Sequence, residues 1–359
     1  MPKIIEFNDE SLKISYEYIK TGRLVAFPTE TVYGLGAGIF TASGLEKIFK
    51  AKKRPKTDPL IVHVASIEQI YPLVILNAAQ KEIFEILANE FSPGPVSYVL
   101  PKSKCIPDIV TNRLDYVGVR VPNHPEALKF LEYVKEPIAA PSANRFSHVS
   151  PTHSSHVAED LFEEADLVIL DSKIGCTLGI ESTVLKINEL GDVLILRLGA
   201  IGSIEISRLL DKYKKNNTVK VIYRKIKNMD DELPQESPGQ GLTHYSPDIE
   251  TYLYLNKNIT DEKLITLFTE AELAQTVFID FFNKNKKFEN KFIKYINISE
   301  HEDTIMACQN IFSVLRIAEK ITNAKYIMIS NDISDSSSLN LALKERIYRS
   351  ASGKFASFD

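Results

Sequence analysis

The chain has few of the residues and segments that mark secreted, membrane-bound or metal-bound proteins. It contains three cysteines in 359 residues, Cys105, Cys176 and Cys308, with no CxxC spacing. This usage favours a reducing compartment and fits neither a disulfide framework nor a zinc cluster. No apolar run approaches the length that crosses a membrane, and residues 1–7 lack the apolar stretch of a signal peptide. We therefore expect a cytoplasmic protein with no membrane contact.

The sequence also lacks an excess of charge of one sign. The 43 lysines and arginines nearly balance the 47 aspartates and glutamates, and the net charge is −4. This balance argues against a dedicated nucleic-acid binder, although a local basic patch can still make a weak contact with tRNA. With 44% hydrophobic and 25% charged residues, the chain can bury a full core and is long enough for two domains. The composition is typical of a soluble enzyme.

The order of apolar runs predicts two α/β domains and a linker. Over residues 1–210, short apolar runs alternate with helical stretches, which is typical of a mixed α/β domain. Residues 211–249 are polar and become rich in proline, glycine and serine, which is typical of a linker. Over residues 250–359 strands and helices alternate again, which predicts a small parallel sheet.

Residues 27–38, FPTETVYGLGAG, concentrate hydroxyls, a carboxylate, a phenol and three glycines behind an apolar run at 24–27. The run predicts a buried strand that ends at Pro28. We expect a loop to follow, in which the glycines let a ligand approach the backbone and the polar side chains of residues 29–33 can face it. A purely structural turn is the alternative.

A basic segment, residues 47–56, precedes the apolar run 60–64 and contains six cations in ten residues. One interpretation is a solvated helix end whose cations complement the helix dipole. Pro55 and Pro59 favour a rigid binding segment instead. In the strand that follows, His63 shares its face with Ile61. A hydrogen-bonded core histidine and a ligand-binding histidine are both open interpretations.

Two arginines, Arg120 and Arg197, lie within apolar strands. A guanidinium there needs an anion, which is either a protein carboxylate or the carboxylate or phosphate of a ligand. Small hydroxyl and amide side chains follow or precede other strands, at residues 142–147 and 182–183. Cations, hydroxyls and glycine-rich segments together suit a nucleoside triphosphate, and they predict phosphate chemistry.

Other common site motifs are weak or absent. The chain has no GxxxxGK[ST] loop, and residues 34–38 lack the GxGxxG spacing. Three histidines, His148, His153 and His156, straddle the Ser150-Pro151 turn. We favour a solvated loop over a metal site there.

The segments described above, in this order, resemble those of the YrdC-type threonylcarbamoyl-AMP synthases in their long two-domain form. The resemblance covers roughly residues 1–247 by motif and the remainder by position and pattern. It implies an N-terminal YrdC-like α/β domain with a twisted mixed sheet and a smaller C-terminal Rossmann-like α/β domain. It further implies that the linker 211–249, which carries the His-Tyr-Ser-Pro core of the family's linker signature, can fold over the active site.

The resemblance also assigns site residues. The KxR and SxN signatures of the family fall on Lys52 with Arg54, which are implied to be catalytic, and on Ser142 with Asn144. The residues implied to bind L-threonine are Thr31, His63, Arg120, Ala140 and Ser182. Those implied to bind ATP are Arg54, Asp58, Tyr116, Ser142, Asn144, Ser150, Arg197 and Tyr245. Two departures stand out: Tyr116 replaces a usual threonine, and the run before Tyr245 is less basic than is usual.

The activity that the resemblance implies is that of an L-threonylcarbamoyladenylate synthase, a nucleotidyltransferase. Such an enzyme joins L-threonine, bicarbonate and ATP, with Mg²⁺, and releases pyrophosphate. The product would serve tRNA modification through a separate threonylcarbamoyl transferase. Two alternatives stay open. One is an RNA-binding module of the same fold. The other is a carbamoyl-transfer enzyme with a different acceptor, which would share the nucleotide residues and differ at His63 and Arg120.

Overall fold

The computed structural model describes residues 1–222, 245–254, 268–334 and 337–356. Contacts between residues divide the chain into two units. Unit 1 contains the described residues 1–146 and 150–222. Unit 2 contains residues 147–149 and the described residues from 245 onward. Most of the predicted linker, residues 223–244, lies outside the described residues.

Unit 1 has one large mixed sheet. Its strands are β1 (Lys3–Glu6), β2 (Leu24–Phe27), β3 (Gly34–Gly38), β4 (Ile61–His63), β5 (Val96–Pro101), β6 (Tyr116–Arg120), β7 (Ile138–Ala139), β8 (Leu167–Asp171), β9 (Thr183–Ile187), β10 (Val193–Arg197) and β11 (Val219–Val221). They lie in the order β1-β8-β2-β3-β7-β4-β6-β5-β9-β10-β11. Strand β4 is parallel to β6 and antiparallel to β7, and β9 is parallel to β5 and antiparallel to β10. The predicted mixed α/β domain is confirmed.

Helices flank this sheet. They are α1 (Asp9–Lys20), α2 (Ala42–Lys52), α3 (Ala78–Phe91), α4 (Asp108–Thr111), α5 (Pro125–Val134), α6 (Ser154–Asp160) and α7 (Ser203–Lys212), with a 3-10 turn at Tyr71–Leu73. Asn77 starts α3 with a reciprocal cap to Gln80. Along β2, Leu24 and Ala26 join one apolar cluster, whereas Val25 and Phe27 join another. Both faces of the sheet are therefore buried here, as a continuous apolar run predicts.

The loop predicted after Phe27 is shorter than expected, because Gly34–Gly38 form strand β3. Glycine permits this strand to lie close to its neighbours. A Cβ on Gly36 would lie 2.9 Å from Cγ2 of Ile138 and 3.1 Å from the carbonyl oxygen of Val25. The prediction of a glycine loop is wrong for residues 34–38, and the polar loop is confined to the residues between β2 and β3.

Unit 2 has a parallel sheet, as predicted. Its strands are β12 (Glu250–Tyr254), β13 (Thr276–Asp280), β14 (Lys294–Asn297), β15 (Tyr326–Ser330) and β16 (Phe355–Ala356), in the order β14-β13-β15-β12-β16. Its helices are α8 (Glu270–Leu273), α9 (Thr304–Glu319) and α10 (Ser338–Ser350), with a 3-10 segment at Lys286–Lys291. Within the described segments of the chain, no helix is long and apolar enough to cross a membrane.

Candidate active site

Lys52, the last residue of α2, is buried against the segment that follows β7. Its Nζ donates hydrogen bonds to the carbonyl oxygens of Ser142, at 2.6 Å, and Asn144, at 2.5 Å. Burial, and then the nearby Arg54 guanidinium, lower the pKa of Lys52 well below its ordinary value. Lys52 of the KxR signature therefore contacts both residues of the SxN signature, Ser142 and Asn144. An anion that bound nearby would favour its charged form.

Arg54 lies beyond the left-handed turn at Lys53 and is buried too. Its Nη2 lies 2.7 Å from Oδ2 of Asp58 and 3.0 Å from the carbonyl oxygen of Pro59. Burial raises the pKa of Asp58, while Arg54, Lys52 and Arg197 act in the opposite direction. These four charged groups therefore lie near one another. The interpretation of Lys52 and Arg54 as part of a solvated helix end is wrong, because only 1% and 7% of their surfaces are exposed.

Arg120, at the end of β6, is paired with a protein carboxylate. Its Nη2 lies 2.8 Å from Oε1 of Glu30. Its Nη1 donates to Oγ1 of Thr31 at 3.0 Å, and its Nε donates to the carbonyl oxygen of Gly94 at 3.3 Å. Of the two anions that the sequence left open, the structure shows the protein carboxylate. The polar loop between β2 and β3 supplies two of these three contacts.

His63 ends β4 in register with Arg120 on β6. Burial, and then Arg120, lower the pKa of His63 to about 3. The imidazole is therefore neutral at physiological pH. Its ring meets the ring of Phe27 edge to face, with the centroids 6.0 Å apart. A neutral imidazole can exchange a hydrogen bond with a hydroxyl without adding charge to the site.

Ser182 and Arg197 meet where β9 begins and β10 ends. The Nε of Arg197 donates to the carbonyl oxygen of Ser182 at 3.0 Å, and Nη2 donates to its Oγ at 3.1 Å. The hydroxyls of Ser182 and Ser97 are 2.8 Å apart. Next to Ser182, Glu181 accepts a hydrogen bond from Oγ of Ser150 at 2.5 Å. Two of the predicted residues, Ser182 and Arg197, thus bond to each other directly, and the neighbours Ser97 and Glu181, which were not predicted, bond to Ser182 and Ser150.

The remaining predicted residues lie as follows. The backbone N–H of Ala140 donates to the carbonyl oxygen of Ile61 on β4 at 2.9 Å. Tyr116 begins β6, at the opposite end of the strand from Arg120, and its ring centroid is 4.2 Å from Nζ of Lys186. Tyr245 belongs to unit 2, where its buried ring packs 5.5 Å from that of Phe312.

Sequence reasoning placed Glu30 among the loop side chains that can face a ligand but did not identify it as the partner of Arg120, and it assigned no role to Glu181 or Ser97. A signal existed for the two glutamates, because Glu30 adjoins Thr31, Glu181 adjoins Ser182, and an in-strand arginine requires an anion. Ser97 lies within an apolar strand and carries no such signal.

His148 contradicts the prediction of a solvated loop. It is 6% exposed and belongs to unit 2. Its Nε2 lies 3.2 Å from both carboxylate oxygens of Glu319, and the N–H of Asp248 donates to Oε2 of Glu319 at 3.0 Å. The ligand atoms of His148, Asp248 and Glu319 lie within 4.8 Å of one another. This set could hold a metal ion, but the hydrogen bonds already account for the arrangement.

Two family profiles match the chain. The one described as "Telomere recombination", for Sua5, YciO and YrdC, matches residues 17–199, and "Threonylcarbamoyl-AMP synthase, C-terminal domain" matches residues 201–352. The threonylcarbamoyl-AMP synthase of Pyrococcus abyssi is 41% identical over 67% of this chain and 66% of its own length. That of Schizosaccharomyces pombe is 38% identical over 66% and 62%. The matched part thus spans slightly less than two thirds of these relatives.

A solved structure is similar over nearly the whole chain. The crystal structure of P. abyssi Sua5 complexed with L-threonine has a TM-score of 0.82 and 30% sequence identity. The similarity covers 99% of this chain and 98% of that one.

Proposed function

The chain belongs to the family that groups Sua5, YciO and YrdC, and from this premise we propose that it is an L-threonylcarbamoyladenylate synthase. It would join L-threonine, bicarbonate and ATP and release pyrophosphate. The observation that carries the proposal is the burial of four cationic side chains within unit 1, which are Lys52, Arg54, Arg120 and Arg197. Buried cations are costly unless anions meet them, and both proposed substrates supply anionic groups.

The amino-acid side of the site is formed by Thr31, His63, Arg120, Ala140 and Ser182. The guanidinium of Arg120 suits the carboxylate of L-threonine. The neutral imidazole of His63 suits its hydroxyl. The similar P. abyssi protein, which was crystallised with L-threonine, supports this substrate.

The nucleotide side contains Lys52, Arg54, Ser142, Asn144, Ser150 and Arg197, and we include Asp58, Tyr116 and Tyr245 in the same proposal. ATP would enter with Mg²⁺. The residues present fit such an ion, because Oδ1 of Asp58 is a buried carboxylate oxygen with no hydrogen-bond donor within the described parts of the chain. Asp58 would therefore hold the ion, whose positive charge would offset the negative charge of the phosphates.

The proposed reaction has two bond-forming steps. The amine of threonine combines with bicarbonate to give a carbamate and water. A carbamate oxygen then attacks the α-phosphorus of ATP, and the bond to the bridging oxygen breaks as pyrophosphate leaves. Lys52 and Arg54 would offset the charge that develops on the phosphates. The mixed anhydride is readily hydrolysed, and the low exposure of the site side chains would limit the access of water.

The proposal extends to the cellular role. The adenylate would pass to a separate threonylcarbamoyl transferase that modifies tRNA, in the cytoplasm. The expectation that the linker 211–249 folds over the site stays part of this proposal; its residues 219–221 form β11 of the sheet, and residues 223–244 lie outside the described residues.

Pyrophosphate release tests the proposed function. We expect release to require ATP, bicarbonate and L-threonine together. Arg54→Ala should lower the rate at least about tenfold, because it removes a cation from the site of charge development. The matched control is Lys81→Ala, which removes an exposed cation paired with Glu85 on α3. Release that is independent of the amino acid, or an unchanged rate in Arg54→Ala, would contradict the proposal.

A further inference from the structure

Glu30 and Arg120 form an ion pair that is almost fully enclosed. Only 3% of Glu30 and 4% of Arg120 is exposed, and Oε1 lies 2.8 Å from Nη2. In the described part of the chain, Glu30 provides the carboxylate within 4 Å of this guanidinium. The pair is held from its other side by Thr31 and the carbonyl oxygen of Gly94. Glu30 is therefore the counter-ion of the arginine proposed to bind the threonine carboxylate.

The imidazoles and the thiol near this pair add no charge. Burial lowers the pKa of His63 to about 3 and also lowers that of His124, so both are neutral at physiological pH. Burial raises the pKa of Cys176, which also lies near Glu30 and Arg120, to about 12. Ala140 and Ser182 carry no ionisable side chain. Glu30 and Arg120 thus contribute one negative and one positive charge to the pocket proposed for threonine, and Arg197, which donates to Oγ of Ser182, adds a positive charge at the Ser182 side.

The pair retains unused hydrogen-bonding capacity. Neither carboxylate oxygen of Glu30 makes a hydrogen bond of acceptable geometry with the described residues, and the same is true of Nη2 of Arg120. Buried polar atoms without partners are unfavourable, and a ligand that brings both a donor and an acceptor relieves this cost. An α-amino acid zwitterion brings both, as an ammonium and a carboxylate on the same carbon.

Charge alone would make this pocket selective. An arginine that is neutralised by a carboxylate gains little from a simple carboxylate ligand, which brings an uncompensated negative charge out of water. A zwitterion brings no net charge out of water, because its ammonium compensates its carboxylate. Without the negative charge of Glu30, the pocket would carry the positive charge of Arg120, and a simple carboxylate would become a better ligand relative to the zwitterion.

We propose that Glu30 is a specificity-determining residue: it neutralises Arg120, so that the pocket accepts an amino-acid zwitterion and discriminates against carboxylates that lack the ammonium. This inference rests on the proposed function, because it concerns the same threonine site. It differs from a purely structural role for Glu30, which would weaken all ligands alike.

The test compares L-threonine with 3-hydroxybutanoate, which is threonine without its amino group. Dissociation constants of both ligands are measured by calorimetry on the full chain, for the unmodified protein and for Glu30→Gln. We expect the unmodified protein to prefer L-threonine at least about tenfold, and Glu30→Gln to reduce this ratio at least about tenfold. Glu30→Asp, which keeps the charge, should retain most of the preference. The matched control is Glu136→Gln, which alters a carboxylate that pairs with Lys20 outside the proposed site and should leave the ratio unchanged.

The outcomes separate the inference from the proposed function. If the unmodified protein binds no L-threonine, the proposed function fails. If it binds L-threonine but Glu30→Gln weakens both ligands in parallel, the inference is overturned and Glu30 only supports the fold. If Glu30→Gln does not fold, the double variant Glu30→Gln with Arg120→Met removes both charges of the pair together. Because this variant again leaves the pair without net charge, it should bind both ligands more weakly but keep a preference for L-threonine, and equal affinity for the two ligands would overturn the inference.

Discussion

At the scale of one residue, burial determines the protonation state of His63. Its pKa falls from 6.5 to about 3 in the folded protein. Between these two values the unfolded chain binds a proton that the folded chain does not, so stability rises with pH over this interval. The contribution is complete above about pH 6.5 and is lost as pH falls towards about 3.

The variant His63→Gln tests this prediction. The variant lacks the imidazole that binds a proton when the chain unfolds. The slope of the free energy of unfolding against pH should therefore be smaller by about 1.4 kcal/mol per pH unit in this interval. The measurement is denaturant unfolding at several pH values, with His301→Gln as a control that removes an exposed imidazole. An unchanged slope in His63→Gln would mean that the imidazole is protonated in the folded protein.

Single residues also show how far the sequence could predict the site. An arginine in an apolar strand requires an anionic partner, and the expectation that Arg120 is paired with an anion is confirmed. The identity of the partner was not predictable, because Glu30 is 90 positions away in the chain and only the sheet order brings it close. The same holds for Lys52, whose carbonyl partners on Ser142 and Asn144 come from a distant segment.

At the scale of elements, apolar runs predicted strands well and glycine-rich segments did not. The run 24–27 became β2 with the same bounds, and the run 60–64 contains β4. Strand β3 was missed, because Gly34, Gly36 and Gly38 carry no side chain that could reveal an alternating pattern. Its position between β2 and β7 is set by close backbone packing, which appears only in three dimensions.

Close packing at Gly199 gives a prediction for β9. A Cβ there would lie 2.7 Å from Oγ1 of Thr183 and 2.8 Å from the carbonyl carbon of Ser182. Gly199→Ala should therefore displace the start of β9, destabilise the protein by about 2 kcal/mol and weaken binding of L-threonine.

The control for this prediction is Gly118→Ala in β6. Its Cβ would lie 3.3 Å from Cγ1 of Ile61, a flexible side chain, and should cost less than about 1 kcal/mol. Thermal unfolding and threonine titration of both variants provide the comparison. Equal effects of the two substitutions would show that the beginning of β9 tolerates displacement.

At the scale of the whole molecule, residues 147–149 link the two units through the chain itself. They belong to unit 2, where the N–H of Ser246 donates to the carbonyl oxygen of Ser147 at 2.9 Å and Arg316 donates to that of Val149. Their chain neighbours on either side include Asn144 and Ser150 of the proposed nucleotide site. No pattern in the sequence indicates that residues 147–149 belong to unit 2, because their placement depends on contacts between distant segments.

Removal of unit 2 should therefore weaken the nucleotide site. A chain that ends at Ile222 keeps β11, which pairs with β10, but loses the partners of residues 147–149. We expect this shortened chain to fold and to lose most net synthesis of the adenylate. It should bind ATP at least about tenfold more weakly, because ordering the freed segment costs conformational entropy. Arg316→Met in the full chain should shift ATP affinity in the same direction. Unchanged ATP affinity and synthesis in the shortened chain would remove unit 2 and the linker from the mechanism.

The central claim is that this protein carboxylates L-threonine and adenylates the product. The most direct measurement is mass spectrometry of the reaction with ¹³C-labelled bicarbonate, ATP, Mg²⁺ and L-threonine, quenched within the first turnovers. We expect a threonylcarbamoyladenylate that carries a single ¹³C, formed together with pyrophosphate. Formation of AMP and pyrophosphate with no labelled adenylate, at any concentration of L-threonine, would contradict it.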